Sequence, residues 1–148
     1  MVLNWVRLGI LPKNQIVVAF CIFPIIRIYS MEGQLIREFR TTSGIIEKFE
    51  PINNKMIDLI RSGGQAPRAF VANAVFADAD GIYIAIAAPR RIEVLLFDEF
   101  GKTKEYYFLN VKEPTGCFGL IVKKTLEGKR FFILRSYPQA RIEELAPQ

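Results

Sequence analysis

Short apolar segments follow one another along the whole chain and are separated by turns rich in glycine or charge. In two places the order is the same: two apolar segments, a third that contains Arg-Ile, a glycine turn, and a fourth segment. Gly33 and Gly101 occupy equivalent positions in these turns, where a residue that tolerates positive φ lets two antiparallel strands meet. The pattern therefore predicts β-strands joined by hairpins.

The strands group into three units of the same plan. The first unit is predicted over residues 5–40 and the second over residues 70–110, each a meander of four short strands. A partial unit over residues 116–148 lacks the fourth strand. The motif "RI" recurs in all three, at Arg27, Arg91 and Arg141, with a period typical of repeat architectures. We expect a single domain of repeats.

A linker over residues 41–69 separates the first two units and contains a different pattern. Its apolar residues recur at a roughly helical spacing, which predicts one short helix from Asn53 to Arg61. The glycine-rich stretch "SGGQAP" that follows is expected to end the helix and lead into the second unit.

The strands of the second unit alternate poorly between apolar and polar residues. In "FVANAVFA" and "GIYIAIA" both faces are apolar or small, whereas a sheet with one wet face alternates. A hairpin-linked sheet that is apolar on both sides has to lie between two other sheets. Radially stacked blades of a β-propeller meet that requirement, and a β-sandwich or small barrel is the alternative. The predicted fold class is all-β and propeller-like.

The second unit also resembles a known family. "VFADADGIYIAIAAPRRIEVLLFDEFGK" is similar to one blade of the six-bladed β-propellers related to NHL repeats, with Asp80, Gly81, Arg91, Phe97 and Gly101 among the matching positions. Weaker copies lie at Arg27–Gly33 and around Arg141. This resemblance implies six blades, and the chain supplies almost three. Either two chains close one ring as a homodimer, or the chain is a fragment of a longer propeller, and a partner could supply the missing strand.

Composition narrows the chemistry. The chain has 148 residues, a net charge of +5 and no histidine, which excludes any mechanism that needs a histidine base from this chain. The charge is spread thinly, so nucleic-acid binding is not indicated. Cys21 and Cys117 are far apart and are expected to be buried apolar residues rather than metal ligands. No cofactor is predicted.

Four arginines are the candidate site. In a propeller the loops before each Arg-Ile lie on one rim, which predicts a basic ring of Arg27, Arg90, Arg91 and Arg141. Such a ring could bind an anionic ligand or an acidic loop of a protein partner. The alternative is that each arginine packs on its own blade and pairs with an acid such as Glu93 or Glu143.

Two further stretches have competing interpretations. "DADG" at Asp78–Gly81 has carboxylates at a spacing seen in calcium loops, but a tight turn explains it more simply. The basic hairpin Lys123–Arg130 could contact a nucleic-acid backbone, or it could be a solvated tip whose charges prevent edge-to-edge aggregation.

The apolar run Ile16–Ile26 is too short to cross a bilayer and is interrupted by Pro24, so no membrane association is expected. The default expectation is a cytoplasmic protein, or a periplasmic or secreted one if the chain is a piece of an exported parent. We expect a non-enzymatic binding or assembly module that recognises a protein or ligand on its rim. The alternatives are a metal-dependent hydrolase or lyase of the propeller type, and nucleic-acid binding through a basic rim.

Overall fold

Hairpins account for nearly all regular structure in a computed structural model of the chain. The structure describes residues 5–64, 70–88, 90–111, 117–135 and 139–147. These contain the strands β1 Val6–Leu11, β2 Gln15–Phe20, β3 Ile25–Tyr29, β4 Leu35–Arg40, β5 Ala74–Asp78, β6 Gly81–Ala88, β7 Arg91–Phe97, β8 Thr103–Asn110, β9 Cys117–Thr125, β10 Gly128–Arg135 and β11 Arg141–Leu145, and the helix α1 Gly44–Arg61.

The strands form three antiparallel sheets in chain order, so the all-β, propeller-like class is confirmed. The first sheet is β1-β2-β3-β4, the middle sheet is β5-β6-β7-β8, and the third sheet is β9-β10-β11. Each strand pairs with the next one along the chain. In the described residues the third sheet has no fourth strand, which is the incomplete unit that the sequence predicts.

The sheets converge at their first strands. β5 contacts both β1 and β9, whereas the outer strands of neighbouring sheets make few contacts with one another. Gly9 in β1 allows this close approach, because a side-chain carbon there would lie 2.9 Å from Val75 and 3.4 Å from Ala77. The sheets therefore fan outwards from a common line of inner strands, as blades do.

The core consists of two layers, one on each side of the middle sheet. Residues such as Ile82, Ile84 and Leu95 face the first sheet, where they pack against Val17 and Ile28. The alternate residues of the same strands, Tyr83, Ala85, Val94 and Leu96 among them, face the third sheet. This two-sided burial is the reason that β6 and β7 lack polar alternation.

The helix differs from its prediction. It begins at Gly44 rather than Asn53, because the Ser43 side chain accepts a hydrogen bond from the backbone N–H of Ile46 and caps the first turn. Pro51 lies inside the helix and hides its continuity in the sequence. The predicted end is confirmed at Ser62 and Gly63, the latter with φ of 88°. The rest of the "SGGQAP" linker, from residue 65, lies outside the described residues.

The helix covers one end of the first sheet. Its Met56 packs on Cys21 and Ile22 at the β2–β3 loop, and Asn53 donates a hydrogen bond to the Ile22 carbonyl oxygen. We call this end of the stack, with the β2–β3, β6–β7 and β10–β11 connections, the helix rim. The opposite end carries the hairpin turns and is the turn rim. In the part of the chain that the structure describes, no helix is both long and apolar enough to span a bilayer.

The first prediction concerns Gly81, where β6 begins. Its φ is 142°, and an added Cβ would collide with the carbonyl oxygen of Phe97. Gly33 also has a positive φ, of 82°, but nothing lies within 4 Å of the corresponding position. We expect Gly81→Ala to lower the free energy of unfolding by about 3 kcal/mol or more, and Gly33→Ala by about 1–2 kcal/mol. Urea denaturation of both variants measures the difference, and equal losses would contradict the collision.

Candidate functional site

The first sheet has an apolar face that no other described element covers. In register, Leu8 opposes Val18, Val18 opposes Arg27, and Arg27 opposes Glu38. Ile10, two positions along β1 from Leu8, points the same way, and so does Leu35, because it opposes Tyr29, two positions along β3 from Arg27. We call the resulting surface the first-sheet outer face, which consists of Leu8, Ile10, Val18, Arg27, Leu35 and Glu38. Leu8 is 62% exposed and Ile10 is 63% exposed, which is unusual for side chains in the middle of a strand.

The third sheet has a matching surface on the far side of the stack. Ile121 opposes Phe132, and Leu134 opposes Ile142, all pointing away from the middle sheet. We call these four residues the third-sheet outer face. Ile121 is 57% exposed and Ile142 is 69% exposed. Lys123 and Arg130 lie at the end of this face nearest the turn rim.

The two outer faces are opposite sides of the repeating sheet, one corresponding to the side toward a preceding sheet and the other to the side toward a following sheet. Ser30 and Asp98 are equivalent, because each accepts a hydrogen bond from the N–H of its turn glycine, Gly33 or Gly101. Counting back three residues from each makes Arg27 equivalent to Leu95, which faces the preceding sheet. The first-sheet outer face is thus the side that a preceding sheet would cover. The third-sheet outer face is the side that a following sheet would cover.

Of the four predicted arginines, Arg91 is tied most closely to the fold. It begins β7 on the helix rim, and its Nη2 atom lies 2.5 Å from an oxygen of Glu93, whose side chain is 1% exposed. Tyr106 donates its hydroxyl hydrogen bond to the same carboxylate. The Arg91 guanidinium also lies over the Phe108 ring, 5.4 Å from its centroid. This pairing is the structural alternative that the sequence left open.

The structure does not bring the other three arginines into one ring. Arg141 begins β11 and lies 3.8 Å from Glu143, and Arg90 is exposed in the β6–β7 connection. Both are on the helix rim with Arg91. Arg27 instead lies in the middle of β3 on the first-sheet outer face, 2.6 Å from Glu38 and over the Phe20 ring. Its strand has two residues fewer than β7, so the shared Arg-Ile motif does not mark equivalent positions.

The "DADG" turn and the basic hairpin interact with each other at the turn rim. Lys124 lies 2.6 Å and Lys129 lies 3.7 Å from the Asp80 carboxylate, and Tyr83 donates a hydrogen bond of 3.2 Å to it. The hydrogen bond from Lys124 is the largest cause that lowers the pKa of Asp80. Burial raises the pKa of Tyr83 to about 12. These contacts join the middle and third sheets, so most charges of the hairpin are already paired within the chain.

A cavity of about 400 Å³ opens on the turn rim between the first and middle sheets. Leu11 and Pro12 form part of its apolar wall, and Asp78, Asp98 and Glu99 place carboxylates around it. Asp78 and Asp98 each accept backbone N–H bonds within their own turns. From the sequence, Asp78 was predicted only as part of a tight turn, and its proximity to Asp98 and Glu99 was not predicted. Topology was needed, because they come from different hairpins.

Sites for a metal or a reactive thiol are not evident among the described residues. In that part of the chain, no group of three or more histidine, cysteine, aspartate or glutamate side chains could hold a metal ion. Cys21 and Cys117 are buried free cysteines, and burial raises the pKa of Cys117 to about 12. A thiol with so high a pKa is protonated at neutral pH and is a poor nucleophile.

A comparison of the chain with protein-family models gives no match, and a comparison with curated protein sequences gives none either. Functional inference therefore depends on the geometry of the surfaces described above.

The second prediction separates the roles of Arg91 and Arg27. Both pair with a glutamate and lie over a phenylalanine, but only Glu93 is buried. We expect Arg91→Met to lower the free energy of unfolding by about 2 kcal/mol, because it leaves a buried carboxylate without its cation. Arg27→Met should cost less than about 1 kcal/mol, as for exposed pairs. Thermal unfolding of both variants tests this, and equal stabilities would contradict a structural role for Arg91.

The third prediction concerns pH. Because the pKa of Asp80 is lower in the folded chain than in the unfolded one, its ionised form stabilises the fold. That contribution is complete above the unfolded value of about 3.9 and disappears as the pH falls through the lower folded value. We expect Asp80→Asn to be less stable than the parent at pH 6, with the difference shrinking as the pH falls below about 4.

The control for this pH dependence is Asp58→Asn. Asp58 lies 4.0 Å from Arg61, and both side chains are largely exposed. Its substitution should leave the free energy of unfolding nearly unchanged at either pH. Urea denaturation across the pH range measures both variants. A difference between parent and Asp80→Asn that stays constant from pH 6 to pH 2 would refute the role of the Asp80 charge.

Proposed function

We propose that the chain is a non-enzymatic assembly module that packs its two terminal sheets against sheets of another polypeptide chain. The observation that carries the proposal is the pair of apolar outer faces. Both faces of β6 and β7 in the middle sheet are buried, whereas the four-stranded first sheet and the three-stranded third sheet are each covered by another sheet on one side alone. Exposed apolar patches of this size are often interaction sites, and here one lies on each side of the stack.

The size of the faces supports this proposal. Strands of six residues are about 20 Å long and lie about 4.8 Å apart, so a four-stranded face covers about 400 Å². Covering an exposed leucine or isoleucine side chain contributes about 1.5–3 kcal/mol. Leu8, Ile10, Ile121 and Ile142 are each more than half exposed. Their burial is enough to offset a substantial part of the entropic cost of association.

The polar groups fit a binding role better than a catalytic one. The Asp80 carboxylate pairs with Lys124 of the third sheet, and the Glu93 carboxylate binds Arg91 of its own strand and Tyr106 of β8, so both acids are engaged in contacts within the chain. The helix rim with Arg90, Arg91 and Arg141 would then be a surface that the assembled protein presents to an acidic ligand or protein partner. The resemblance of the second repeat to NHL-type blades supports the same function, because an incomplete set of blades requires others.

The fourth prediction tests the assembly function. We expect light scattering on a sizing column to give a mass above 16.9 kDa for the wild-type chain at micromolar concentration. If the chain is instead a monomer, its bare faces should bind an apolar fluorescent dye. Leu8→Glu with Ile10→Glu should reduce the association or the dye signal, because charges then replace the two most exposed residues of β1.

The matched control is Met31→Glu with Leu126→Glu. These residues are exposed and apolar but lie in hairpin turns, away from both outer faces. The control has the same change in net charge and should behave as the wild type. A wild-type monomer that binds no dye, or a control that loses association as fully as the face variant does, would overturn the assembly function.

A further inference from the structure

We propose that the other polypeptide is a second copy of this chain, joined head to tail. The third-sheet outer face of each copy packs on the first-sheet outer face of the other. Two identical junctions then close a ring of six sheets with two-fold symmetry. This inference rests on the assembly function proposed above and adds the partner and the pairing of faces.

The contacts between neighbouring sheets within one chain indicate how two copies would pack. The first sheet meets the middle sheet, and the middle sheet meets the third, always with the following side of one sheet on the preceding side of the next. In both junctions the innermost strands touch, β1 with β5 and β5 with β9. Two sides have no neighbouring sheet within the chain. They are the preceding side of the first sheet, which is the first-sheet outer face, and the following side of the third, which is the third-sheet outer face. A contact between β9 of one copy and β1 of another would repeat the existing junction.

Closure favours this pairing over like-with-like contacts. If two copies joined through their first-sheet outer faces alone, both third-sheet outer faces would stay exposed to water. The head-to-tail arrangement covers all four faces of a pair, and no apolar sheet surface is left to recruit a third copy. Head-to-tail contacts that fail to close produce open filaments instead. Closure therefore predicts a dimer rather than a series of larger assemblies.

The area buried is adequate for a stable pair. With about 400 Å² for a four-stranded face and somewhat less for the three-stranded one, two junctions bury on the order of 1,500 Å². Specific, stable interfaces bury about 1,200–2,000 Å² in total. The Arg27–Glu38 pair on the first-sheet outer face would be enclosed in this junction with its charges already paired. No unpaired arginine would be buried.

The fifth prediction uses two complementary variants. One carries Leu8→Glu and Ile10→Glu, which block the first-sheet outer face, and the other carries Ile121→Glu and Ile142→Glu, which block the third-sheet outer face. Both change the net charge equally. We expect the wild type to be a dimer of twice 16.9 kDa and each variant alone to be a monomer. An equimolar mixture should form a one-to-one dimer, because it still combines one intact face of each kind.

The mixed dimer should be roughly 100-fold or more weaker than the wild-type dimer, because it has one junction instead of two. Light scattering across a dilution series measures all four samples. If either variant dimerises alone, the faces join like with like and the head-to-tail pairing is wrong. A mixture that stays monomeric while the wild type dimerises would also refute it, as would wild-type assemblies that grow beyond two copies.

The outcomes for this inference and for the assembly function can be told apart. A wild-type monomer that binds the apolar dye would end the self-pairing but leave assembly with a different chain in place. A monomer that binds no dye would end both. Leu8→Thr with Ile10→Thr and Ile121→Thr with Ile142→Thr serve as a milder second pair, since threonine is polar and favours strands. Far-UV circular dichroism of each variant establishes that its sheets have formed.

Discussion

The middle sheet can exist only between two other sheets, because its side chains are apolar on both faces. Ile84 faces one neighbour, and Ala85, the next residue along the same strand, faces the other. An isolated sheet of this kind would expose the apolar side chains of both faces to water. The middle sheet can therefore fold only together with the first and third sheets. The same constraint applied to the terminal sheets gives the central problem of the molecule. Each terminal sheet is covered by the middle sheet on one side and has an exposed apolar face on the other.

The charged networks described above lie at the two ends of the stack, whereas the Arg27–Glu38 pair lies on the exposed first-sheet outer face. The Asp80 network lies at the turn rim between the middle and third sheets, and the Arg91–Glu93 pair lies at the helix rim. Glu93 is almost completely buried, but its carboxylate pairs with Arg91 of the same strand and accepts a hydrogen bond from Tyr106 of β8. Polar interactions in this protein therefore fix the ends of the stack, and apolar contacts hold its layers together.

The sequence predicted most of the fold, because hairpin signals and two-sided apolar strands are local features. It predicted the four-stranded plan and the missing strand. The helix start was wrong, since Pro51 hid a helix that Ser43 caps eight residues earlier. The predicted ring of arginines depended on treating every Arg-Ile motif as equivalent. The turn hydrogen bonds show instead that Arg27 is equivalent to Leu95. Strand length and register are set by pairing across the sheet, which a single sequence does not display. The acidic cavity was missed for the same reason.

The fan of sheets has a consequence for how local stability is distributed. Among the described residues the extensive contacts between sheets are those between neighbours along the chain, so the three sheets form a short array in which the middle sheet has two such interfaces and each terminal sheet has one. Amide hydrogens of β6 and β7 are consequently protected by both layers, whereas those of β4 and β11, at sheet edges, open in smaller fluctuations. Local opening would thus begin in the terminal sheets, and the amide hydrogens of the middle sheet would be the last to exchange with solvent.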